Sequence, residues 1–221
     1  MALLTDDIES VLESNGRVAF KSEVTGEELV TNDTGDEVVK RFYNQQKLTA
    51  SAGENLITMT RVASSATDNN CIDIRTLDSV SAIGKVTIPG YVYTGNFSGC
   101  VFYLYKTGIK EVTGVHAYSG EVTTKTKRFL RKPKVTKVVR EFGPTDYFLR
   151  NPGTMICRYP TSGELDPGAY TGDPAGETSL AFLSCVETNC ATTFLFSVKA
   201  SMLAPEFTVR RLLAKHFVEF G

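Results

Sequence analysis

Cys100 and His116 are the residues of this 221-residue chain whose types and spacing are best suited to chemistry. They stand in "GNFSGCVFYLYKTGIKEVTGVHAYSG", residues 95–120, which holds one of five cysteines and one of only two histidines. The runs "CVFYLY" and "KEVTGVH" read as two strands joined around "KTGIK". A turn centred on Gly108 makes Cys100 and His116 direct partners across an antiparallel pair, with Cβ atoms about 4.5–5.5 Å apart. A two-residue Thr107-Gly108 turn instead shifts the register by one and sends His116 to the other face. In the first register a thiol, ordinarily of pKa about 8.5, lies beside an imidazole. The imidazole stabilises the thiolate as an ion pair and later hands its proton to a leaving group. Ser98-Gly99 can turn tightly and aim backbone N–H groups, that of Cys100 included, at a developing oxyanion. Gly95 and Gly99 leave room for a substrate backbone to approach. The plain alternative is that Cys100, at the head of an apolar strand, is a small buried hydrophobe.

The elements that must position this pair are mostly strands. "TDDIESVLESNG" reads as an opening helix, capped by Asp6 with Glu9 three residues on and closed by Asn15-Gly16. Ile8, Val11 and Leu12 form its inward face. Arg17 to Val24 reads as a strand, and from Leu29 to Gly120 the signals stay mostly β, as in "NLITMTRV" and "KVTIPGYVYTG". "EVVKRFYNQQ" fits helix or strand. Residues 151–177, rich in Pro, Gly, Asp and Thr, read as a long irregular loop whose acids lack EF-hand spacing. "SLAFLSCVE" and "TTFLFSVKA" are two further strands. In "APEFTVRRLLAKHFVEFG" Pro205 suits a first helical turn. Val209, Leu212, Leu213, His216, Phe217 and Phe220 follow a helical stripe, so a terminal amphipathic helix is expected to pack on the sheet. On that stripe His216 reads as a packed core histidine. The expected fold is α+β: one domain over residues 1–221, with mixed, sandwich-like β-sheets and a flanking helix at each terminus.

Composition bounds the function classes. The chain is 42 % hydrophobic with a formal net charge of −1, so bulk electrostatics nominate no partner and nucleic acid is not expected. Residues 1–37 carry ten acids against two bases, whereas residues 125–140, "KTKRFLRKPKVTKVVR", carry eight bases and no acid. That basic stretch reads as a solvated strand or loop, or as a surface for an acidic partner or phosphate. Five unevenly spaced cysteines argue against a disulfide framework, and two histidines argue against a zinc site. The start has no Sec-type signal, and no apolar stretch approaches membrane-span length.

With the residues around Cys100 in view, the sequence resembles the glutamine deamidases of the Burkholderia lethal factor type, in the superfamily that includes the cytotoxic necrotising factors and the CheD chemoreceptor deamidases. The "LSGC" signature of the lethal factor type is matched by "FSGC" ending at Cys100, with Phe97 in place of leucine. Thr94 stands six residues before the cysteine, and His116 follows in the next strand. The resemblance implies Cys100 as nucleophile, His116 as general base and acid, and Thr94 as the residue that orients the histidine. It implies a monomeric bacterial toxin or effector without cofactor or metal, made in the bacterial cytoplasm and delivered to host cytosol by a non-classical route. Its partner is then a host protein carrying the target glutamine. A transglutaminase, a thiol protease or a CheD-like housekeeping enzyme would use the same Cys-His logic. A non-enzymatic, β-rich interaction protein would use none of it.

Overall fold

The alternating and apolar runs fold as strands in the structure, a computed structural model: 66 % of the chain is strand, so the helices only plug and cover a β scaffold. The structure describes residues 3–24, 30–33, 39–63, 65–77, 80–97, 100–117, 119–128, 131–141, 144–159, 178–200 and 205–221. In chain order, helix α1 (Thr5–Glu13) precedes β1 (Arg17–Ser22), β2 (Val30–Asp33), β3 (Val39–Ser51), β4 (Leu56–Arg61), β5 (Cys71–Ile74) and β6 (Ser81–Thr87). Then come β7 (Gly90–Phe97), β8 (Val101–Gly108), β9 (Glu111–Ala117), β10 (Ser119–Arg128) and β11 (Arg131–Glu141). Helix α2 (Pro144–Arg150) leads to β12 (Thr154–Tyr159), β13 (Thr178–Val186), β14 (Cys190–Ala200) and β15 (Glu206–Glu219).

Eight strands close a barrel in the order β3-β4-β1-β15-β14-β13-β7-β5, with β5 returning to β3. The long β3 makes both the closure and the way out of it. Its later residues pair with β5 and β4, while Val39–Arg41 pair in parallel with β6. From β6 an extension continues through β9 and β8 to β12. The basic stretch forms most of a separate two-stranded ribbon, β10 with β11.

Strand alternation sorts the apolar residues into three layers. Inside the barrel, Ile8, Val11 and Leu12 of α1 meet Leu48, Phe194 and Phe196, so the opening helix is a plug. Outside it, Ile72, Val92, Phe182 and Leu195 of the wall pack against Phe102, Leu104, Val112 and Tyr159 of the extension. Phe102 and Phe182 stack there with centroids 5.1 Å apart. On the far face of the extension, Tyr103, Tyr105 and Val115 lie under Tyr147 and Phe148 of α2.

Several expectations are corrected. The chain is a closed barrel with an extension and two short helices, not a sandwich flanked by helices at both ends. The expected terminal helix is β15, which completes the barrel between β14 and β1. Its helix-like stripe has a specific cause. Against β14 the register skips Arg210 and Leu213, so two bulges put Val209 and Leu212, three apart, on one face. The stripe residues Leu213 and Phe217 are exposed instead. His216 sits on this strand, stacked on Tyr159 at 4.3 Å. "EVVKRFYNQQ" contributes the first half of β3. The presumed loop 151–177 contains β12, and its residues 160–177 lie outside the described residues. Helix α1 begins at Thr5 with no side-chain cap, so the Asp6 cap is not formed; Leu4 N–H donates to Tyr91 Oη at 2.8 Å instead. Asn15 does close the helix, in the left-handed region at φ 53°.

Candidate active site

The candidate site lies between the barrel wall and the extension, and each layer supplies one member. On β7, Tyr91 and Tyr93 face the barrel interior, so Thr94 faces outward beside Val92. On β9, Val112, Gly114 and His116 face the wall, while Val115 and Ala117 face α2. The two outward residues meet: Thr94 Oγ1 and His116 Nδ1 are 2.8 Å apart, with Thr94 0 % and His116 1 % exposed.

The partners fix the proton positions. A threonine hydroxyl has one hydrogen, and Thr94 donates it to the carbonyl oxygen of Ile74 at 3.0 Å. Nδ1 of His116 must then be the donor in the 2.8 Å contact, which leaves the lone pair on Nε2. Burial also pulls the imidazole from its ordinary 6.5 down to about 4, because the charged form would lose its hydration. At neutral pH His116 is therefore a neutral base with a defined basic nitrogen.

Cys100 stands one residue before β8, on the connection that carries the chain from the barrel wall to the extension. It is partly buried and packs against the same interlayer cluster that surrounds His116. The expected direct Cys100–His116 pairing is corrected: His116 lies opposite Phe102, and the last pair is Val101 with Ala117. Cys100 is thus the diagonal neighbour of His116, at a Cα separation of about 7–8 Å. The turn falls on Ile109-Lys110 rather than on Gly108. That shift alone would turn His116 towards α2. A bulge at Thr107, between the Lys106 and Gly108 pairs, restores the parity and returns His116 to the side of Cys100. Thr107 Oγ1 anchors the bulge on Glu111 Oε1 at 3.0 Å and Thr113 Oγ1 at 2.9 Å.

The close approach of the two layers depends on glycine. Gly114 faces the wall, where a Cβ would come 2.4 Å from Val92 Cγ1, and its cross-strand partner Gly84 is pressed against Tyr43 and Ile72. A glycine inside a strand run is the sequence signal for such contact. Sequence reasoning passed over both positions. The Ile74 carbonyl, a backbone group, leaves no signal of its own.

Of the remaining expected site residues, Ser98 and Gly99 lie outside the described residues, and Gly99's expected room for a substrate lies there with it. Gly95 is corrected: it lines the barrel interior beside Tyr93, on the face of β7 opposite Thr94. All five cysteines are free thiols. Burial raises Cys71 well above the ordinary thiol range and pushes Cys157 and Cys185 up to about 12, so these three are poor nucleophiles. Among the described residues no group of three or more His, Cys, Asp or Glu side chains has an arrangement that could hold a metal ion, and no helix is long and apolar enough to cross a membrane. Neither a protein-family model nor a curated protein sequence matches the chain.

Proposed function

We propose that this chain is a cysteine-dependent protein glutamine deamidase. The observation that carries the reading is the Thr94–His116 hydrogen bond, which directs the basic Nε2 away from Thr94 on the side of the sheet where Cys100 packs. His116 Nε2 takes the proton of the Cys100 thiol as the sulfur attacks the side-chain amide carbon of a glutamine. The oxyanion of the tetrahedral adduct is held by backbone N–H groups, that of Cys100 among them. Burial makes the His116 imidazolium strongly acidic, which suits it to protonate the departing amide nitrogen; ammonia leaves and a thioester remains. Water then attacks the thioester with His116 as base. The sulfur recovers its proton, and the glutamine has become glutamate. On the resemblance in the Cys100 region, the substrate is a host protein and the chain a bacterial effector.

A second reading has one observation in its favour. Thr94 and His116 are almost wholly buried, as a hydrogen bond holding two layers of a non-enzymatic β protein would be. Incubating the full chain with host-cell extract and mapping glutamine-to-glutamate conversions by peptide mass spectrometry separates the two. The deamidase reading expects a small set of sites that vanish with Cys100→Ser. Identical maps from both proteins would sink it. An added primary-amine probe, if incorporated at those glutamines, would mark transglutamination instead.

A further inference from the structure

The basic stretch of the sequence lies mostly in β10 and β11, and among the described residues these strands pair only with each other. A two-stranded ribbon is marginally stable at best in water unless an apolar face or a neighbouring element supports it. The register gives this one little apolar support. Val122 opposite Val138, near the root, is its one apolar pair. Outward from there, every pair is either Thr124 with Thr136 or contains a base. Lys137 stands opposite Thr123, Lys125 opposite Val135, Lys134 opposite Thr126, and Arg128 directly opposite Arg131. Like charges directly across a ladder destabilise it. The formal net charge of −1 conceals this concentration, since residues 125–140 hold eight bases and no acid. Alternation divides the bases between two faces: Lys125, Lys127 and Lys137 on one, Arg128, Arg131, Lys134 and Arg140 on the other.

A ribbon charged on both faces works against its own stability, and a bound polyanion offsets that cost. We infer that the β10–β11 ribbon binds duplex DNA by lying in its major groove. The eight bases complement phosphate, and no acid between residues 125 and 140 repels it. A flat anionic surface, such as a membrane, meets one face of a ribbon. A groove encloses it with a floor and two phosphate-lined walls, so bases divided between the faces suit the groove. The B-form major groove, about 12 Å wide, admits a two-stranded ribbon. The ten residues of β10 span roughly 30 Å, close to one helical turn of the duplex. The major groove of an RNA duplex is too deep and narrow for this. Phosphate contacts dominate the affinity, so binding is largely independent of sequence. The inference goes beyond the deamidase reading and does not rest on it.

The test is fluorescence anisotropy of a labelled mixed-sequence DNA duplex titrated with the full chain from about 50 to 200 mM salt. Six bases fall between residues 125 and 134. If each meets a phosphate, the logarithm of the affinity should fall against the logarithm of salt with a slope of about −5. Combining Lys125→Gln, Lys127→Gln, Lys132→Gln and Lys134→Gln should bring the slope to about −2 and weaken low-salt binding about a hundredfold or more. Lys21→Gln with Lys110→Gln, exposed bases outside the ribbon, should change neither. If the fourfold variant does not fold, Arg128→Gln with Arg131→Gln decides, through a slope smaller by about 2. Absence of binding at low salt, or a slope unchanged in the ribbon variants, would overturn the inference. So would a single strand or an RNA duplex bound as tightly as the DNA duplex. Tighter binding to phosphatidylserine vesicles than to the duplex would give the ribbon to a membrane instead. Salt-sensitive self-association in sedimentation, lost in the ribbon variants, would give it to the acidic residues of a second copy.

Discussion

Lowering the pH from neutrality to 4 puts the buried imidazole of His116 under a load whose size follows from its surroundings. In the unfolded chain the ring takes its proton near pH 6.5; in the folded chain it refuses it until about pH 4. Between those values the unfolded state binds the additional proton, so stability falls as pH falls through the window. Roughly two and a half units at about 1.4 kcal/mol each amount to about 3 kcal/mol lost by pH 4. Asp73 works in the opposite sense. Its carboxyl is raised by burial, so the folded state holds a proton that the unfolded state has released, and acidification through its window stabilises the fold. The wild-type curve alone is therefore not diagnostic. The comparison is urea unfolding of wild type and His116→Asn from pH 7 to 4, since Asn keeps an N–H for Thr94 and Asp73 cancels in the difference. Wild type should lose about 3 kcal/mol more than the variant across the window. With only two histidines in the chain, nitrogen-15 NMR can follow the His116 ring directly and should show it neutral and Nδ1-protonated at pH 6. Parallel stability curves, or a His116 ring titrating near 6.5, would refute the reasoning.

Thr94→Val keeps the shape and removes the hydroxyl, orphaning His116 Nδ1–H and the Ile74 carbonyl; it should cost about 1–3 kcal/mol in denaturant titration, and Thr94→Ser much less. Gly114→Ala drives a methyl into Val92 and should cost about 1–3 kcal/mol while weakening the Thr94–His116 contact, seen as a change in the His116 ring resonances. Iodoacetamide should alkylate the native protein at Cys100 and, more slowly, at Cys190, whose thiol is raised first by desolvation and then by Glu187. Peptide mapping should find Cys71, Cys157 and Cys185 modified only after unfolding.

Local signals foretold much of the scaffold. The apolar face of α1, the hairpin of β8 and β9 and the paired runs of β13 and β14 all follow from period and punctuation. Barrel closure does not, because it rests on β3 meeting β5 and β15 meeting β1, contacts between segments distant in sequence. The helix expected over Val209–Phe220 fails because two bulges in a strand counterfeit a helical spacing. At the candidate site, the convergence of Thr94 with His116 agrees with the pairing that the motif around Cys100 implies. The hairpin register was only half legible: the side on which Cys100 and His116 meet was right, but the turn position was not. Asp73, flanked by Ile72 and Ile74, is the kind of acid in an apolar strand that a closer reading of alternation would have singled out.

The bulge at Thr107 is a slack link in the hairpin. Lys106 and Gly108 pair with Val112 and Glu111, which are adjacent, so the ladder steps over Thr107. Deleting Thr107 would therefore let the ladder close on the same pairs, Phe102 with His116 among them, and His116 should keep its place beside Thr94. Straightening the bulge with Thr107 still present, so that Thr107 itself paired with Val112, would instead set His116 opposite Tyr103, on the face under α2. Length at this turn is thus forgiving while pairing is not: the hairpin can lose its spare residue without turning His116 over, but it cannot take that residue into the ladder.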